Sequence, residues 1–126
     1  KTMDAIFKRG AYVEWDFMGQ APLPKANDQR VIDSVYAMIQ AGHAAQIILS
    51  HDVCIQPQLK ENGGGGYTYI HEIILPGLKA KGVSDEVIKT IMETNPSRVL
   101  TFVAPARPVK QRAATTRSPN QKRSVT

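Results

Sequence analysis

Two short apolar segments on either side of an amphipathic one limit the fold of this chain more than any other feature. Ala11 to Asp16 is apolar and aromatic and ends on an acid, and Gln46 to Asp52 carries three consecutive aliphatic residues before its own aspartate. The segment between them is expected to be a helix with Asn27 or Asp28 as its N-cap and Gly42 at its end. Six apolar residues share one face of that helix: Val31, Ile32, Val35, Tyr36, Met38 and Ile39. This order of elements predicts a βαβ unit with parallel strands.

The remaining apolar patterns have helical periodicity. We expect the end of a helix over Lys1 to Gly10, as if the chain were cut within it. After the second strand we predict a helix from about Thr68 to Lys81 that bends or breaks near Pro76. A further helix is predicted from Ser84, its N-cap, to Glu93, ending at Asn95-Pro96. Pro96 can start a last short turn that carries Val99, Leu100 and Phe102. Two strands alone leave backbone groups unpaired on both sides, so the chain is expected to be part of a larger α/β fold.

Positive charge is concentrated at the end of the chain. The formal charge is +5, but all 11 acidic residues precede Ala104, and six of the 16 lysines and arginines follow it. Residues 104–126 contain no acidic or aromatic residue, and therefore bury too little surface to offset the entropy of ordering. We expect a folded part over 1–103 and a disordered basic tail over 104–126. The basicity does not support a nucleic-acid-binding role for the folded part.

The composition also indicates in which cellular compartment the protein is expected. No apolar run approaches the roughly 20 residues that span a bilayer, and no secretory signal pattern is present. The single cysteine, Cys54, excludes an intramolecular disulfide framework and a cysteine-rich zinc module. We therefore expect a cytoplasmic protein without membrane contact.

Two aspartates follow the predicted strands at the same edge of the sheet, where α/β folds bind their ligands. Asp52 is interpreted either as a metal ligand or general base, or as an aspartate that caps the following loop. The same structural alternative is stronger for Asp16. Strand alternation predicts that His51 faces away from Asp52, and we interpret it as a packed or capping histidine. His43 is expected to contact the last carbonyls of the preceding helix.

The segment after the second strand holds three further candidates. Gly63 to Gly66 lacks the Lys-Ser or Lys-Thr of a phosphate-binding loop, which favours a lid or a connector. Tyr67 and Tyr69 either close over a ligand or pack into the core. Cys54 is a candidate for lining a pocket, although no base partner for a nucleophile is identified.

Five separated segments carry a resemblance: 9–19 (RGAYVEWDFMG), 48–53 (ILSHDV), 63–69 (GGGGYTY), Leu75-Pro76 with Leu78, and 95–100 (NPSRVL). In this order and spacing they resemble the carboxyl-terminal third of the phosphotriesterase family. That family, in the amidohydrolase superfamily, includes phosphotriesterase-related proteins and phosphotriesterase-like lactonases. The resemblance implies a (β/α)8 TIM barrel of about 250 residues or more. Ala11 to Asp16 would be its seventh strand and Gln46 to Asp52 its eighth.

The resemblance also implies a site with two divalent metal ions, expected to be zinc. Most ligands, histidines and a bridging carboxylated lysine or glutamate, belong to earlier strands, and the aspartate that ends the eighth strand matches Asp52. Its implied role is to ligate one metal and to accept a proton from the metal-bridging hydroxide that attacks phosphorus or a lactone carbonyl. Asp16, Phe17, Cys54 and Tyr67 are candidate residues of the substrate pocket.

The implied substrate is a small phosphotriester, lactone or other ester, handled in a catabolic process. Phe17 stands where organophosphate-hydrolysing members carry a histidine and lactonases an arginine, so neither substrate follows from the resemblance. A homodimer stays open as an assembly, and the 126-residue chain alone is expected to be inactive. The competing hypothesis is a noncatalytic binding module whose basic tail contacts nucleic acid or an acidic partner, which would bind with a steep salt dependence.

Overall fold

The computed structural model of the chain describes residues 2–16, 18–19 and 26–102. Helix α1 (Thr2–Phe7) precedes strand β1 (Val13–Trp15), and helix α2 (Ala26–Gln40) leads to strand β2 (Ile47–Leu49). Short 3₁₀ turns follow β2, and the chain then continues in two helical segments. These contain α3 (Leu75–Ala80), α4 (Asp85–Lys89) and α5 (Asn95–Leu100).

The two strands form the predicted parallel pair. Val13 lies opposite Ile47, and Trp15 lies opposite Leu49. The Ser50 N–H extends this ladder by donating to the Trp15 carbonyl at 2.9 Å. The βαβ arrangement is thus confirmed, but each strand is only three residues long and ends before the aspartate that was predicted to close it.

Helix α2 covers the sheet with the predicted apolar face. Ile32 and Val35 are buried, and the other four residues of that face are half-buried. The Trp15 indole N–H donates to the Ser34 hydroxyl at 3.3 Å, which joins β1 to the helix. Because α2 already begins at Ala26, neither Asn27 nor Asp28 is its N-cap, and that prediction is wrong.

Both later helical segments pass through a proline. A π-helical turn over Ile70–Ile74 leads directly into α3, and a second over Thr90–Thr94 leads into α5. Proline removes a backbone N–H and its ring collides with the carbonyl four residues earlier, and a wider turn relieves both effects. The helix therefore continues past Pro76 rather than breaking. The predicted helix end at Asn95-Pro96 is wrong, because the π-helical turn continues directly into α5. The predicted last turn from Pro96 is confirmed for Val99 and Leu100, since Pro96 lies in the first turn of α5, which ends at Leu100.

The predicted N-cap at Ser84 is confirmed. Its hydroxyl oxygen accepts a hydrogen bond from the Val87 N–H at 3.4 Å at the start of α4. This satisfies one of the backbone donors that a helix leaves unpaired at its first turn. The Glu86 pKa is lowered, chiefly by a hydrogen bond with Ser84.

His43 joins α1 to the rest of the fold. Its ring stacks on Phe7 with a centroid distance of 4.3 Å, and its Nε2 lies 3.3 Å from an Asp4 carboxylate oxygen. The expectation that His43 contacts the last carbonyls of α2 is confirmed for its backbone, whose N–H donates to the Met38 carbonyl at 3.0 Å. The side chain instead contacts Phe7 and Asp4.

Asn95 connects α5 to β2 and to the turn before it through hydrogen bonds. It is fully buried, and its Nδ2 donates to the carbonyls of Ala44 and Ile47, both at 2.8 Å. The core beneath these contacts is one cluster of buried apolar side chains: Phe7, Met18, Ile32, Val35, Ile47, Leu49, Ile70, Ile74, Leu75, Leu78, Val83 and Ile91.

Two expectations concern parts of the chain outside the described residues. Phe17 is one of them, and the predicted basic tail, with its boundary after Val103, is the other. The division into 1–103 and 104–126 stays a prediction. Within the described ranges, no helix is long and apolar enough to cross a membrane.

Candidate functional site

Asp16 and Asp52 both follow the parallel strands at their carboxyl edge. Asp16 comes directly after β1, whereas Asp52 lies three residues beyond the end of β2, and both are exposed. Asp52 has a left-handed backbone with a φ of 51°. Aspartate tolerates this conformation better than most residues with a side chain. Strand alternation therefore does not extend to Asp52, and it does not determine on which side of the sheet the Asp52 side chain lies.

His51 connects the exit of β2 to the next helical segment. It is half-buried, and its Nε2 accepts a hydrogen bond from the Ile70 N–H at 3.1 Å. Burial lowers the pKa of the imidazole, and the nearby His71 lowers it further. A ring nitrogen that accepts a hydrogen bond is unprotonated, so the neutral ring carries its proton on Nδ1. The interpretation of His51 as a capping histidine is confirmed.

The backbone immediately after Asp52 is held by a glutamine that the sequence analysis did not single out. The Gln58 Oε1 accepts from the Cys54 N–H at 2.6 Å and from the Ile55 N–H at 3.1 Å. Gln58 is buried, with 5% of its surface exposed. Its spacing of three residues from Ile55 is typical of local side-chain caps and was the one available signal.

An open cleft of about 220 Å³ lies in this loop; its lining begins at Val53, directly after Asp52, and does not include Asp52 itself. Its lining includes Cys54 and Tyr67, two of the four predicted pocket residues; Cys54 has a free, exposed thiol, and 66% of Tyr67 is exposed. The whole lining is uncharged: Val53, Cys54, Ile55, Gln56, Leu59 and Tyr67. Asp16 does not line this cleft, and the structure does not describe Phe17.

Tyr69 lies at a junction of three segments. Its hydroxyl donates to an Asp28 carboxylate oxygen in the first turn of α2 at 2.5 Å. Its ring packs against Gly19, which follows β1, and against Gly65 of the glycine-rich loop. Burial raises the pKa of the Tyr69 phenol to about 12, and the carboxylate of Asp28 adds to that effect. Of the two alternatives left open by the sequence, the structure shows Tyr69 packed.

The described side chains do not form a complete metal site. Among residues 2–16, 18–19 and 26–102, no group of three His, Cys, Asp or Glu side chains lies close enough to hold a metal ion. Catalytic zinc ions use about three protein ligands each. The carboxylate of Asp52 suits a divalent metal as one oxygen ligand. The described residues alone therefore form no complete metal site, and no reaction step through a metal follows from them.

A sequence profile of the phosphotriesterase family matches residues 1–100. The chain belongs to the phosphotriesterase family. Members of this family are generally binuclear metal enzymes. The family resemblance of the five sequence segments is thereby confirmed.

Relatives of known description in the phosphotriesterase family are much longer than this chain. A phosphotriesterase-related protein of Drosophila willistoni is 32% identical over 103 residues, which are 75% of this chain and 29% of the relative. An N-acetyltaurine hydrolase of Dictyostelium discoideum is 33% identical over 106 residues, covering 76% of this chain and 28% of the relative. The chain thus spans about three tenths of the length of these relatives.

Solved structures of the family superimpose on the same part. A resiniferatoxin-binding protein from Rhodobacter sphaeroides aligns with a TM-score of 0.69 and 31% identity over 77% of this chain and 29% of its own. The phosphotriesterase homology protein from Escherichia coli, solved with phosphate in its active site, aligns with a TM-score of 0.68 and 30% identity, over 77% of this chain and 33% of its own. These neighbours are TIM barrels, so the α/β unit described here corresponds to part of a barrel.

Proposed function

We propose that this chain is the carboxyl-terminal part of a metal-dependent hydrolase of the phosphotriesterase family. In this proposal β1 and β2 are the seventh and eighth strands of a (β/α)8 barrel. The observation that carries it is the parallel strand pair, with Asp16 and Asp52 following at one edge, in a chain whose relatives are TIM barrels. In such barrels the active site is built from the segments after the strands.

Asp52 is the catalytic residue of this proposal. Its carboxylate would hold one of two divalent metal ions, which we propose to be zinc. The metal ions, when bound, supply an activated water at neutral pH. The Asp52 carboxylate accepts the proton of the attacking water and holds it for the leaving group. Gln58 and His51 hold the backbone on either side, because Gln58 fixes two amides after Asp52 and His51 binds the helical segment.

The cleft beside Asp52 indicates the kind of substrate. Its lining is uncharged and largely apolar, which favours a neutral group next to the bond that is cleaved. We propose a small carboxylic ester, lactone or phosphotriester as the substrate. The name of the Dictyostelium relative makes N-acetyltaurine a necessary comparison substrate.

The test is an assay of the protein at its natural length with neutral esters, lactones, phosphotriesters and N-acetyltaurine. Asp52→Asn is expected to lower kcat/KM by about 10²- to 10⁴-fold, the usual contribution of a general base, and to reduce the bound metal. Asp85→Asn is the matched control, since Asp85 is also exposed but pairs with Lys79 away from the cleft. Removing the metal with a chelator should abolish activity, and zinc should restore it.

Two results would overturn this proposal. One is an Asp52→Asn protein with parental activity and parental metal content. The other is turnover that survives complete removal of the metal.

A further inference from the structure

The loops that follow the two strands are joined to each other directly. The Gly65 N–H donates to the Gly19 carbonyl at 2.7 Å, so a residue after β2 is hydrogen-bonded to a residue after β1. Tyr69 packs on both glycines and also reaches Asp28 at the start of α2. One side chain therefore contacts the segment after each strand and the helix between the strands.

The absence of side chains at the two glycines is what allows this packing. A Cβ atom at Gly19 or Gly65 would overlap the Tyr69 ring, and at Gly65 it would also collide with the Gly19 carbonyl. Gly19 has a φ of +74°, which favours glycine for a separate reason. The close approach thus requires glycine at both positions and an aromatic ring between them.

Tyr69 is also close in sequence to both parts of the candidate site. Tyr67, two residues earlier, lines the cleft beside Asp52. Ile70, the next residue, donates its N–H to His51, the neighbour of Asp52. A displacement of Tyr69 would therefore move the wall of the cleft and the hydrogen bond that holds the end of β2.

We propose that Tyr69 is a positioning residue that holds the two loops together and, through its sequence neighbour Tyr67, fixes one wall of the cleft that follows Asp52. The inference rests on the proposed function for its catalytic consequence. Its physical basis is the packed ring, the two glycines and the hydrogen bond to Asp28. Loss of the ring or of the hydroxyl widens the cleft and weakens the binding of substrates that fill it, while the proton transfer at Asp52 is unchanged.

The experiment uses the protein at its natural length and separates the hydroxyl from the ring. Tyr69→Phe keeps the ring and removes the hydrogen bond to Asp28, and Asp28→Asn weakens the same bond from the other side. For Tyr69→Phe, KM for a substrate that fills the cleft is expected to rise by about fivefold, the usual effect of one lost hydrogen bond. The kcat of that variant is expected to stay within about twofold of the parent, since a residue that acts through binding leaves the chemical step alone.

A second pair of variants tests the ring contact with a matched control. Gly19→Ala introduces both backbone strain and the overlap with Tyr69, whereas Gly42→Ala introduces the strain alone, because Gly42 has a φ of +87° and no neighbour within 4 Å of its Cβ position. Amide hydrogen exchange at Gly65 is the direct readout. Exchange should accelerate by about tenfold or more in Gly19→Ala and be unchanged in Gly42→Ala.

Removing the ring should relieve the overlap. In the double variant Gly19→Ala/Tyr69→Ala, the effects of the two substitutions on amide exchange at Gly65 are expected to be non-additive, because the second removes the atoms that the first collides with. If Gly19→Ala does not fold, Tyr69→Phe alone supplies both readouts.

The outcomes are distinguishable. Unchanged Gly65 exchange in Tyr69→Phe and Gly19→Ala would overturn the inference, as would faster exchange with an unchanged KM for large substrates. A parent protein without hydrolase activity would contradict the proposed function instead. In that case Gly65 exchange alone decides whether Tyr69 holds the two loops together.

Discussion

The position of Asp52 in the fold was predictable from the sequence, but its backbone conformation was not. Its place after an aliphatic strand predicted a position at the carboxyl edge of a parallel pair, and its motif indicated the family. Its left-handed backbone was not predictable, because β2 ends at Leu49 and the backbone after it is held by the distant Ile70 and by Gln58. The place of Asp52 in the fold was predictable from the residues around it in sequence. The orientation of its backbone depends on contacts with residues outside that segment.

Tyr69 carries a prediction about pH at the same scale. Its pKa is raised to about 12 in the folded protein, whereas an unfolded tyrosine titrates near 10. The stability that comes from its buried, protonated hydroxyl is therefore fully present below about pH 10 and is lost as the pH rises through about 12. The free energy of unfolding should fall more steeply between these pH values in the parent than in Tyr69→Phe. Equal slopes in the two proteins, measured by denaturant titration, would contradict this prediction.

At the scale of elements, short-range periodicity predicted the type of each element better than its ends. The spacing of the apolar residues in α2 is enough to predict a helix. Where that helix begins and ends depends on contacts with other segments, which the spacing does not include. The sequence predicts a helix end at Pro96 because proline ordinarily disrupts a helix interior. The π-helical turn at Thr90–Thr94 accommodates it, and the buried contacts of Asn95 with β2 favour the continued helix.

Asn95 carries the prediction for this scale. Replacing it with alanine removes both hydrogen bonds to the backbone at the start of β2 and leaves two carbonyls without that donor. Loss of such a buried partner costs about 1–3 kcal/mol. Asn95→Ala should therefore lower the free energy of unfolding by that amount. Asn62→Ala, which removes an exposed hydrogen bond to the Gln56 carbonyl, is the control and should change stability by less than about 0.5 kcal/mol.

At the scale of the whole molecule, the described residues contain two parallel strands and several helices of a barrel, but too few strands to form a closed barrel. Each described strand pairs with the other alone, so each has an outer edge at which no other described strand is hydrogen-bonded. Large apolar side chains are exposed as well, among them Phe102, which is fully exposed, and Leu100, which is 74% exposed. Neighbouring strands and helices cover such surfaces in a complete barrel. The sequence predicted this incompleteness from strand number, because two strands cannot form a sheet covered on both faces.

The last prediction concerns residues 1–126 as an isolated polypeptide. It should show no hydrolase activity and no high-affinity site for two metal ions, because Asp52 supplies one carboxylate and a catalytic zinc ion needs about three protein ligands. The three histidines do not replace the missing ligands. His43 stacks on Phe7, the His51 Nε2 is engaged by the Ile70 N–H, and His71 belongs to no group of three described His, Cys, Asp or Glu side chains that could hold a metal ion. The unpaired strand edges should also make the isolated chain aggregate or fold only in part.

The measurement is an assay of the purified 126-residue chain with lactones, carboxylic esters and phosphotriesters in the presence of zinc, cobalt or manganese. The protein at its natural length is the positive control, and calorimetric titration with zinc measures the metal site directly. Chelator-sensitive turnover by the isolated chain, at a rate near that of the longer protein, would mean that Asp52 and its neighbours form a complete site without the other strands. Such a result would contradict the assignment of β1 and β2 to the last two strands of a barrel whose metal ligands lie mainly on the earlier ones.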